Sequence, residues 1–192
     1  MATDTRAWAR VIFEGSRIEG NDSYHLNDSL LAESLKRVEI DFVKRWGLLE
    51  SIVLRCADGT REQPVQAQIT VEDGLIGDRW VTGKAKPGDQ LSMMNLDVAA
   101  AIANGQSIVL FGDNLFTRLD IREEALPTGS RLRIGEALVE VSSTPHVPCN
   151  RFRSRFGSAA FEHVRKNPRL RGVYLTVIEG GGVALGDAIL HA

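Results

Sequence analysis

The first regular pattern of apolar and polar positions lies near the N-terminus. Asn27, Asp28 and Ser29 supply N-cap chemistry, and apolar residues then recur at steps of three and four. The apolar positions on this face are Leu31, Leu35, Val38, Phe42 and Trp46, and Gly47 follows as a stop signal. The spacing predicts an amphipathic helix over residues 29–46 that packs on the main body of the protein. A partner-binding helix is the alternative.

Beyond Glu50 the pattern changes to the two-residue period of strands. Strands are predicted over residues 51–56, 64–71, 90–94, 107–111, 131–134, 137–142, 172–178 and 183–190. Gly135 opens the turn of a predicted hairpin, as type II′ turns require. Helices are predicted after the cap residue Asn95 and from Ser158 to before Pro168. Many short strands and few helices indicate a mainly β (α+β) fold, a β-barrel with peripheral helices.

Bulk properties narrow the class of protein. The chain has 192 residues and a net charge of −2. We divide it into an N-terminal arm and helix (1–48) and one barrel domain (49–192). This charge gives no argument for nucleic acid, and no apolar run approaches the roughly 20 residues that span a bilayer. The two cysteines are Cys56, predicted to be structural, and Cys149. Without a secretory signal pattern, we expect a reduced, cytoplasmic setting.

The stretch 140–157 carries the most distinctive chemistry. Strand-like alternation leads into a turn bracketed by Pro145 and Pro148, and this turn presents Cys149. Each proline fixes φ near about −65° and restricts the residue before it, so the loop loses little entropy on ordering. Three arginines follow: Arg151, Arg153 and Arg155. Because cations beside a thiol favour its thiolate form, the pattern indicates a functional cysteine.

Four roles for Cys149 are compatible with this loop. A buried inert cysteine is the common default, but it leaves the prolines and arginines unexplained. His146 and Cys149 have a zinc-ligand spacing, although no Cys-x-x-Cys pair completes the set. His146 is also a candidate base for a Cys-His hydrolase, although hydrolases usually bring that base from a distant element. The fourth role is a soft sulfur donor, which carries a persulfide sulfur or ligates a soft metal.

Two other polar loops add candidate binding groups. Asp78 and Arg79 follow closely spaced glycines, and they form either a fixed ion pair or a ligand clamp. Asn114 lies in the loop 112–120, whose side chains are suited to an anion or a pterin-like heterocycle; a solvated turn is the alternative. Arg151, Arg153 and Arg155 are candidate partners for a phosphate or a substrate oxyanion.

Several short motifs occur in one order along residues 50–190. They are Gly74-Leu-Ile-Gly-Asp-Arg79, Gly112-Asp-Asn-Leu115, Leu126-Pro-Thr-Gly-Ser-Arg-Leu-Arg-Ile-Gly135, Thr144-Pro-His-Val-Pro-Cys149, Arg155-Phe-Gly157, Gly172-Val-Tyr and Gly182-Val-Ala-Leu-Gly-Asp187. Together they resemble the MOSC domain, the C-terminal domain of molybdenum cofactor sulfurase, which also occurs alone in small bacterial proteins. The resemblance implies a β-barrel of the pyruvate-kinase type and a role in molybdenum-cofactor chemistry.

The resemblance also implies roles for particular residues. Cys149 matches the family's invariant cysteine, which is proposed to ligate molybdenum or to carry sulfur for metal–sulfur centres. By motif matching, the residues that would contact the molybdenum cofactor (molybdopterin) are Asp78, Arg79, Asn114, His146, Arg151 and Arg155. Pyridoxal phosphate is associated with the family only through a fused desulfurase domain, and no lysine of this chain indicates a Schiff base.

Two functions follow from the resemblance as expectations. Some stand-alone relatives resemble molybdenum-dependent reductases of N-hydroxylated small molecules, which receive electrons from a separate reductase. The alternative is a non-redox persulfide carrier or cofactor-handling module supplied by a cysteine desulfurase. A homodimer is compatible with either function.

The chain departs from the family at two positions. His146 stands where bacterial reductase-like members commonly have arginine, and Asp113 stands where the family usually has glutamate. A histidine is a weaker, pH-dependent partner for an anion than an arginine. We therefore expect the contact at position 146 to differ from that of the relatives.

Overall fold

The computed structural model describes residues 19–38, 46–83, 86 and 88–192. Its strands, in chain order, are β1 (Trp46–Ile52), β2 (Leu54–Arg55), β3 (Arg61–Glu62), β4 (Gln66–Thr70), β5 (Gly74–Leu75), β6 (Leu91–Asn95), β7 (Leu115–Thr117), β8 (Arg131–Ile134), β9 (Ala137–Val141), β10 (Val173–Glu179), β11 (Gly181–Ala184) and β12 (Ala188–His191). Its helices are α1 (Asp28–Lys36), α2 (Leu96–Ala103) and α3 (Asn150–Lys166).

Seven of the described strands close a barrel in the order β1-β12-β8-β9-β10-β6-β7. Neighbouring strands are antiparallel except β6 and β7, which run parallel. The barrel interior is a continuous apolar cluster that includes Leu49, Met93, Val139 and Leu175, all fully buried. Closure leaves no free edge in this sheet, which removes a template for aggregation. The mainly β fold and the barrel predicted from the sequence are confirmed.

Two small sheets stand beside the barrel. One has the order β11-β4-β5, and the other is the hairpin of β2 and β3. In the main sheet, the predicted hairpin of β8 and β9 is present, and Gly135 has a φ of +54° in its turn. This left-handed conformation strains residues other than glycine, which explains the residue type there.

The helices cover one side of the barrel and share a second apolar cluster. Leu31 of α1, Ile102 of α2 and Phe156 of α3 lie in this cluster. Asn95 caps α2 as predicted, because its side-chain oxygen accepts hydrogen bonds from the N–H groups of Asp97 and Val98. The side chain of Asn27 caps α1 in the same way by accepting from Leu30 N–H.

The prediction of one helix over residues 29–46 is wrong. The helix ends at Lys36, and Trp46 and Gly47 begin β1, where they pair with Leu190 and Ile189. The predicted position Phe42 lies outside the described residues. A Cβ atom on Gly47 would lie 2.9 Å from Leu119 Cβ, so this glycine allows close packing in a strand and does not end a helix.

Two further assignments also differ. Residues 107–111 were predicted as a strand, but the structure has a 3₁₀ helix at Ile108–Phe111. A short buried apolar run fits either state, because periodicity does not distinguish them. The helix predicted from Ser158 begins already at Asn150 and is kinked at Gly157, which has φ 87° and ψ 169°. Cys149 therefore immediately precedes the helix, and the kink divides α3 into two segments.

Candidate functional site

Cys149 occupies the N-cap position of α3. Its backbone is extended, its side chain is exposed and it makes no side-chain capping bond. N-cap positions favour Ser, Thr, Asp and Asn, whose oxygen atoms accept from the first N–H groups of the helix. The N-terminus of a helix also carries a partial positive charge. The sequence therefore places a poor capping residue, with a nucleophilic sulfur atom, where a capping oxygen would be more stable.

The arginines that follow Cys149 separate by helical spacing. Arg151 and Arg155 are four residues apart and share one face of α3. Arg153 lies on another face, where its guanidinium stacks 3.9 Å from the Phe161 ring centroid and pairs with Glu162. Arg151 and Arg155 therefore share a face, and Arg155 interacts electrostatically with both Arg151 and Cys149.

Arg155 interacts electrostatically with four groups: Arg151, Cys149, Arg79 and Arg171. Its pKa is lowered by burial and by the neighbouring Arg151 charge, while Cys149 acts in the opposite direction. Burial, together with the charges of Arg55 and Arg151, likewise lowers the pKa of Arg79. The structure thus brings Arg79, Arg151, Arg155 and Cys149, predicted from separate motifs, into one neighbourhood, here called the arginine site.

Arg61 belongs to the same site, and the motif analysis missed it. The side chain is 4% exposed, and its Nε has no hydrogen-bond partner among the described residues. Burial, followed by the charges of Arg79, Arg155 and Arg55, lowers its pKa to about 10. The guanidinium donates to the carbonyl oxygens of Gly59 and Thr60, at 3.3 and 3.1 Å. A buried cation surrounded by other cations indicates a place for an anion.

The hairpin of β2 and β3 contains a signal that could have revealed Arg61. Its turn is Ala57-Asp-Gly-Thr60, and its register sets Arg55 directly opposite Arg61. Like charges directly opposite each other destabilise a two-stranded sheet. Two arginines that face each other across a hairpin whose turn is recognisable from the sequence therefore indicate a site that needs positive charge.

Asp78 and Asn114 are joined in a buried clamp. The Asp78 side chain is 0% exposed, and its carboxylate accepts two hydrogen bonds from Arg55, at 2.8 Å from Nε and 2.7 Å from Nη2. It also accepts from the backbone N–H groups of Arg55 and Trp80 and from Asn114 Nδ2, each at 2.9 Å. Burial alone would raise the pKa of Asp78, but the Arg55 bonds and charge outweigh it and hold that pKa below its usual value.

Asn114 completes this clamp from the barrel side. Its Oδ1 accepts from the backbone N–H of Ser92 at 3.1 Å, and its backbone C=O accepts from Val53 at 2.7 Å. All these partners belong to the chain itself. Asp78 and Asn114 were predicted as cofactor contacts. In the structure their side chains hydrogen-bond to other residues of the chain and thereby hold Arg55 and the loops of the site in place.

His146 is a buried residue of the loop that presents Cys149. It is 6% exposed, and its ring packs on Tyr174 with the centroids 4.1 Å apart. Burial, helped by the charges of Arg171 and Arg55, lowers the pKa of His146 well below its usual value, so the ring is neutral at physiological pH. A neutral, buried ring supplies no positive charge for an anion, in contrast to an arginine at this position.

Asp113 lies next to His146 in the interior. One of its oxygens pairs with Arg171, and the other, Oδ1, is 3.6 Å from His146 Nδ1. Neither of these two facing atoms has a hydrogen-bond partner among the described residues. Burial raises the pKa of Asp113, and the Arg171 charge opposes this rise. The two departures from the family pattern, at positions 113 and 146, are therefore neighbours in space.

The kink at Gly157 has its own support from the N-terminal segment. The carbonyl oxygen of Arg155 accepts hydrogen bonds from His25 Nε2 at 3.1 Å and from Gln106 Nε2 at 3.0 Å. A Cβ atom on Gly157 would lie 3.0 Å from the His25 ring. The segment around His25 thus packs directly on the part of α3 that bears Arg155.

Replacement of His25 by alanine should lower the free energy of unfolding by about 1 kcal/mol, because the Arg155 carbonyl loses one donor and the Gly157 kink loses its packing partner. Urea unfolding measures the change. Asp22→Asn is the matched control, since its exposed carboxylate only approaches His25 at 3.6 Å. Equal stability of the two variants would contradict the role assigned to His25.

Replacement of Arg61 by methionine should raise stability and weaken anion binding at once. Loss of the buried, unpaired charge should raise the free energy of unfolding by about 2 kcal/mol. Loss of one charge-assisted contact should weaken pyrophosphate binding roughly tenfold. Urea unfolding and isothermal titration measure the two effects. Arg131→Met, which removes an exposed arginine paired with Glu140, is the control. A destabilised variant with unchanged pyrophosphate affinity would exclude an anion site at Arg61.

Within the described ranges, no group of three or more His, Cys, Asp and Glu side chains is placed to hold a metal ion. Over the same residues, none of the helices is both long enough and apolar enough to cross a membrane.

A closed barrel with an exposed cysteine beside clustered arginines at the start of a helix defines a barrel protein with a cationic thiol site. The model of the MOSC domain family matches residues 90–190, just over half of the chain. The chain belongs to the MOSC domain family, which is linked to molybdenum-cofactor binding. No curated protein matches the sequence significantly.

Solved structures share this fold at low sequence identity. The YuaD protein from Bacillus subtilis is 17% identical with a TM-score of 0.57, and the match covers 75% of this chain and 94% of that one. YiiM from Escherichia coli is 24% identical with a TM-score of 0.55, covering 76% and 69%. YiiM from Geobacillus stearothermophilus is 16% identical with a TM-score of 0.53, covering 76% and 75%. At these identities, the likeness concerns the fold.

Proposed function

We propose that this protein binds the molybdenum cofactor through the arginine site, with Cys149 as the thiolate ligand of molybdenum. The observation that carries the proposal is the exposed Cys149 thiol at the start of α3, which interacts electrostatically with Arg155 in a cluster that also contains Arg61, Arg79 and Arg151. Soft thiolate sulfur is suited to a soft metal, and guanidinium groups are suited to the phosphate of a pterin.

The residues of the site fit this cofactor in two respects. The orphaned Nε of buried Arg61 indicates a missing hydrogen-bond acceptor, which a phosphate oxygen would supply. Arg79 and Arg151 have no carboxylate partner within ion-pair distance among the described residues, so both retain charge for an anion. Asp78 forms its ion pair with Arg55 and fixes the orientation of that side chain, while its charge only partly offsets those of Arg61 and Arg79. The site as a whole therefore keeps an excess of positive charge.

The reaction that we propose is reduction of an N-hydroxylated small molecule. Overall, the N-hydroxyl compound takes up two electrons and two protons and yields the parent amine-type compound and water. The bound cofactor would supply two-electron oxygen-atom transfer, and a separate reductase would supply the electrons. The chain would hold the cofactor by its charge, keep Cys149 at the helix N-terminus and fix the loop through Pro145, Pro148 and buried His146.

Metal analysis of the purified protein tests the proposal. The protein is produced in a host that makes molybdenum cofactor and in an otherwise identical host that does not. We expect roughly stoichiometric molybdenum and pterin only from the first host, and electron-dependent reduction of an N-hydroxylated amidine by that preparation alone. Protein without molybdenum or pterin from the competent host would overturn the proposal.

A persulfide carrier is the second candidate, and the exposure of Cys149 favours it. An exposed thiol is accessible to another protein's persulfide, whose terminal sulfur would transfer to the Cys149 thiolate while the donor thiolate leaves. Anaerobic incubation with a cysteine desulfurase and free cysteine should then add the mass of one sulfur atom. The absence of this adduct would exclude the carrier function.

A further inference from the structure

A cavity of about 700 Å³ lies apart from Cys149, which is not among its described lining residues. It is enclosed by the hairpin of β2 and β3, the sheet of β4 and β11, and the turn between β8 and β9. Its described lining residues are Leu54, Glu62, Pro64, Gln66, Ala67, Gln68, Ile76, Gly135, Glu136, Gly182, Val183, Ala184 and Asp187. The volume lies within the range of about 300 to 1,000 Å³ that is typical of small-molecule sites.

The strand period shows that this cavity is separate from the arginine site. Successive side chains of a strand point to opposite faces. Arg55 and Arg61, which pair across the hairpin, interact with the charges of the arginine site. Leu54 and Glu62, which also pair, line the cavity. The hairpin of β2 and β3 therefore has a cationic site on one face and the cavity on the other.

The charge of the cavity is opposite to that of the arginine site. Glu62, Glu136 and Asp187 line it, and its described lining contains no Lys, Arg or His. Glu136 Oε2 accepts from Gly182 N–H at 3.0 Å, and Asp187 Oδ2 accepts from Ala184 N–H at 2.7 Å. These bonds fix both carboxylates while the second oxygen of each has no bond to the described chain. The neighbouring Arg133, which is not among the described lining residues, pairs with Glu179 at 3.1 Å and also donates to the backbone carbonyl oxygen of Glu136 at 3.2 Å.

The walls between the carboxylates are apolar. Leu54, Pro64, Ile76 and Val183 are the larger apolar residues of the lining, and Gln66 and Gln68 add amide groups. Apolar walls contribute affinity by burying a hydrophobic body, and a few placed polar groups fix its orientation. Because every charged group in the lining is a carboxylate, the complementary ligand carries a cationic group on an apolar body.

We propose that this cavity binds a small organic cation, an amine with an aromatic or branched apolar body. Tryptamine is a suitable probe, because it joins an ammonium group to an indole ring. Tryptophol, its neutral alcohol analogue, and indole-3-propionate, an anion of similar size, are the matched ligands. Titration of the full ¹⁵N-labelled chain, followed by backbone amide shifts, measures both affinity and location.

Tryptamine should shift the amides of Gln68, Gly182 and Ala184 saturably, while tryptophol binds several-fold more weakly and indole-3-propionate leaves these amides unchanged. Glu136→Gln and Glu62→Gln should each weaken tryptamine binding by about fivefold. Glu140→Gln, on the exposed face of β9, should have no effect. Tryptophol binding as tight as tryptamine, unchanged affinity in both cavity variants, or no shift at these amides at millimolar tryptamine would overturn the proposal. Because the arginine site is not involved, this result is independent of the molybdenum content.

Discussion

Replacement of Cys149 by serine is expected to abolish molybdenum binding and to leave the protein as stable as the wild type or more stable. A serine hydroxyl remains protonated at neutral pH and is a hard oxygen donor, so it does not replace a thiolate as a ligand of a soft metal. We expect the molybdenum content to fall to background in a cofactor-competent host, with complete loss of N-hydroxyl reduction.

The expected gain in stability follows from the N-cap position. Cys149 makes no capping bond, whereas a serine oxygen there can accept from the N–H groups of the first turn of α3. The free energy of unfolding should therefore rise by up to about 1 kcal/mol. A change that stabilises the fold while it removes the activity indicates that the wild-type residue is retained for function.

The matched control is Cys56→Ser. Cys56 is a partly buried residue beside the turn of the hairpin of β2 and β3, and burial raises the pKa of its thiol. Its replacement should leave the molybdenum content unchanged. Molybdenum analysis of both variants, together with urea unfolding, separates a metal ligand from a cysteine that only packs. Full molybdenum occupancy in Cys149→Ser would refute ligation by this sulfur atom.

The elements that were predictable from the sequence are those in which the local signals and the tertiary packing agree. The β8–β9 hairpin was predictable because Gly135 satisfies the turn geometry, and α2 was predictable because Asn95 is a strong cap. The end of α1 was not predictable from periodicity, because apolar spacing compatible with a helix continues into β1. There Trp46 and Gly47 pair with β12, and tertiary pairing overrides the local pattern.

The candidate site was recovered in part for a similar reason. Local chemistry was sufficient to single out Cys149, since the prolines and arginines are adjacent to it in sequence. Arg61 has a local signal in the hairpin register, but its electrostatic interactions with Arg79 and Arg155 depend on segments that only the fold brings together. The neutral state of His146 likewise depends on burial against Tyr174, which its position in a polar loop does not indicate.

Asp78 was predicted as a ligand contact, and its contacts within the chain lead to the second large effect. Asp78→Asn should lower the free energy of unfolding by about 3 to 5 kcal/mol at pH 7, because it leaves the Arg55 guanidinium without a counter-charge in a buried position. The asparagine amide also places N–H donors where Arg55 and Asn114 donate. Urea unfolding at several pH values measures the loss.

The pH dependence of the free energy of unfolding distinguishes loss of the Asp78 charge from loss of its packing. Since its folded-state pKa is lowered, Asp78 contributes stability that is fully present above the unfolded-state pKa of about 3.9 and is lost as the pH falls through the folded-state value. The stability gap between wild type and Asp78→Asn should therefore narrow below about pH 4. A gap that stays constant down to pH 3 would attribute the loss to packing alone.

Asp120→Asn provides the comparison for this test. Burial would raise the pKa of Asp120, but hydrogen bonds and charge from Arg122 lower it, as Arg55 does for Asp78. The two arginines differ in exposure: the Arg122 side chain is 45% exposed, and the Arg55 side chain is 18% exposed. An arginine that remains in contact with water loses little when its carboxylate is removed, so this variant should cost at most about 1 kcal/mol. A much larger loss in Asp78→Asn would follow from the burial of Arg55. Because Arg55 faces Arg61 across the hairpin, the same loss would leave two buried cations side by side without the carboxylate that makes their proximity tolerable.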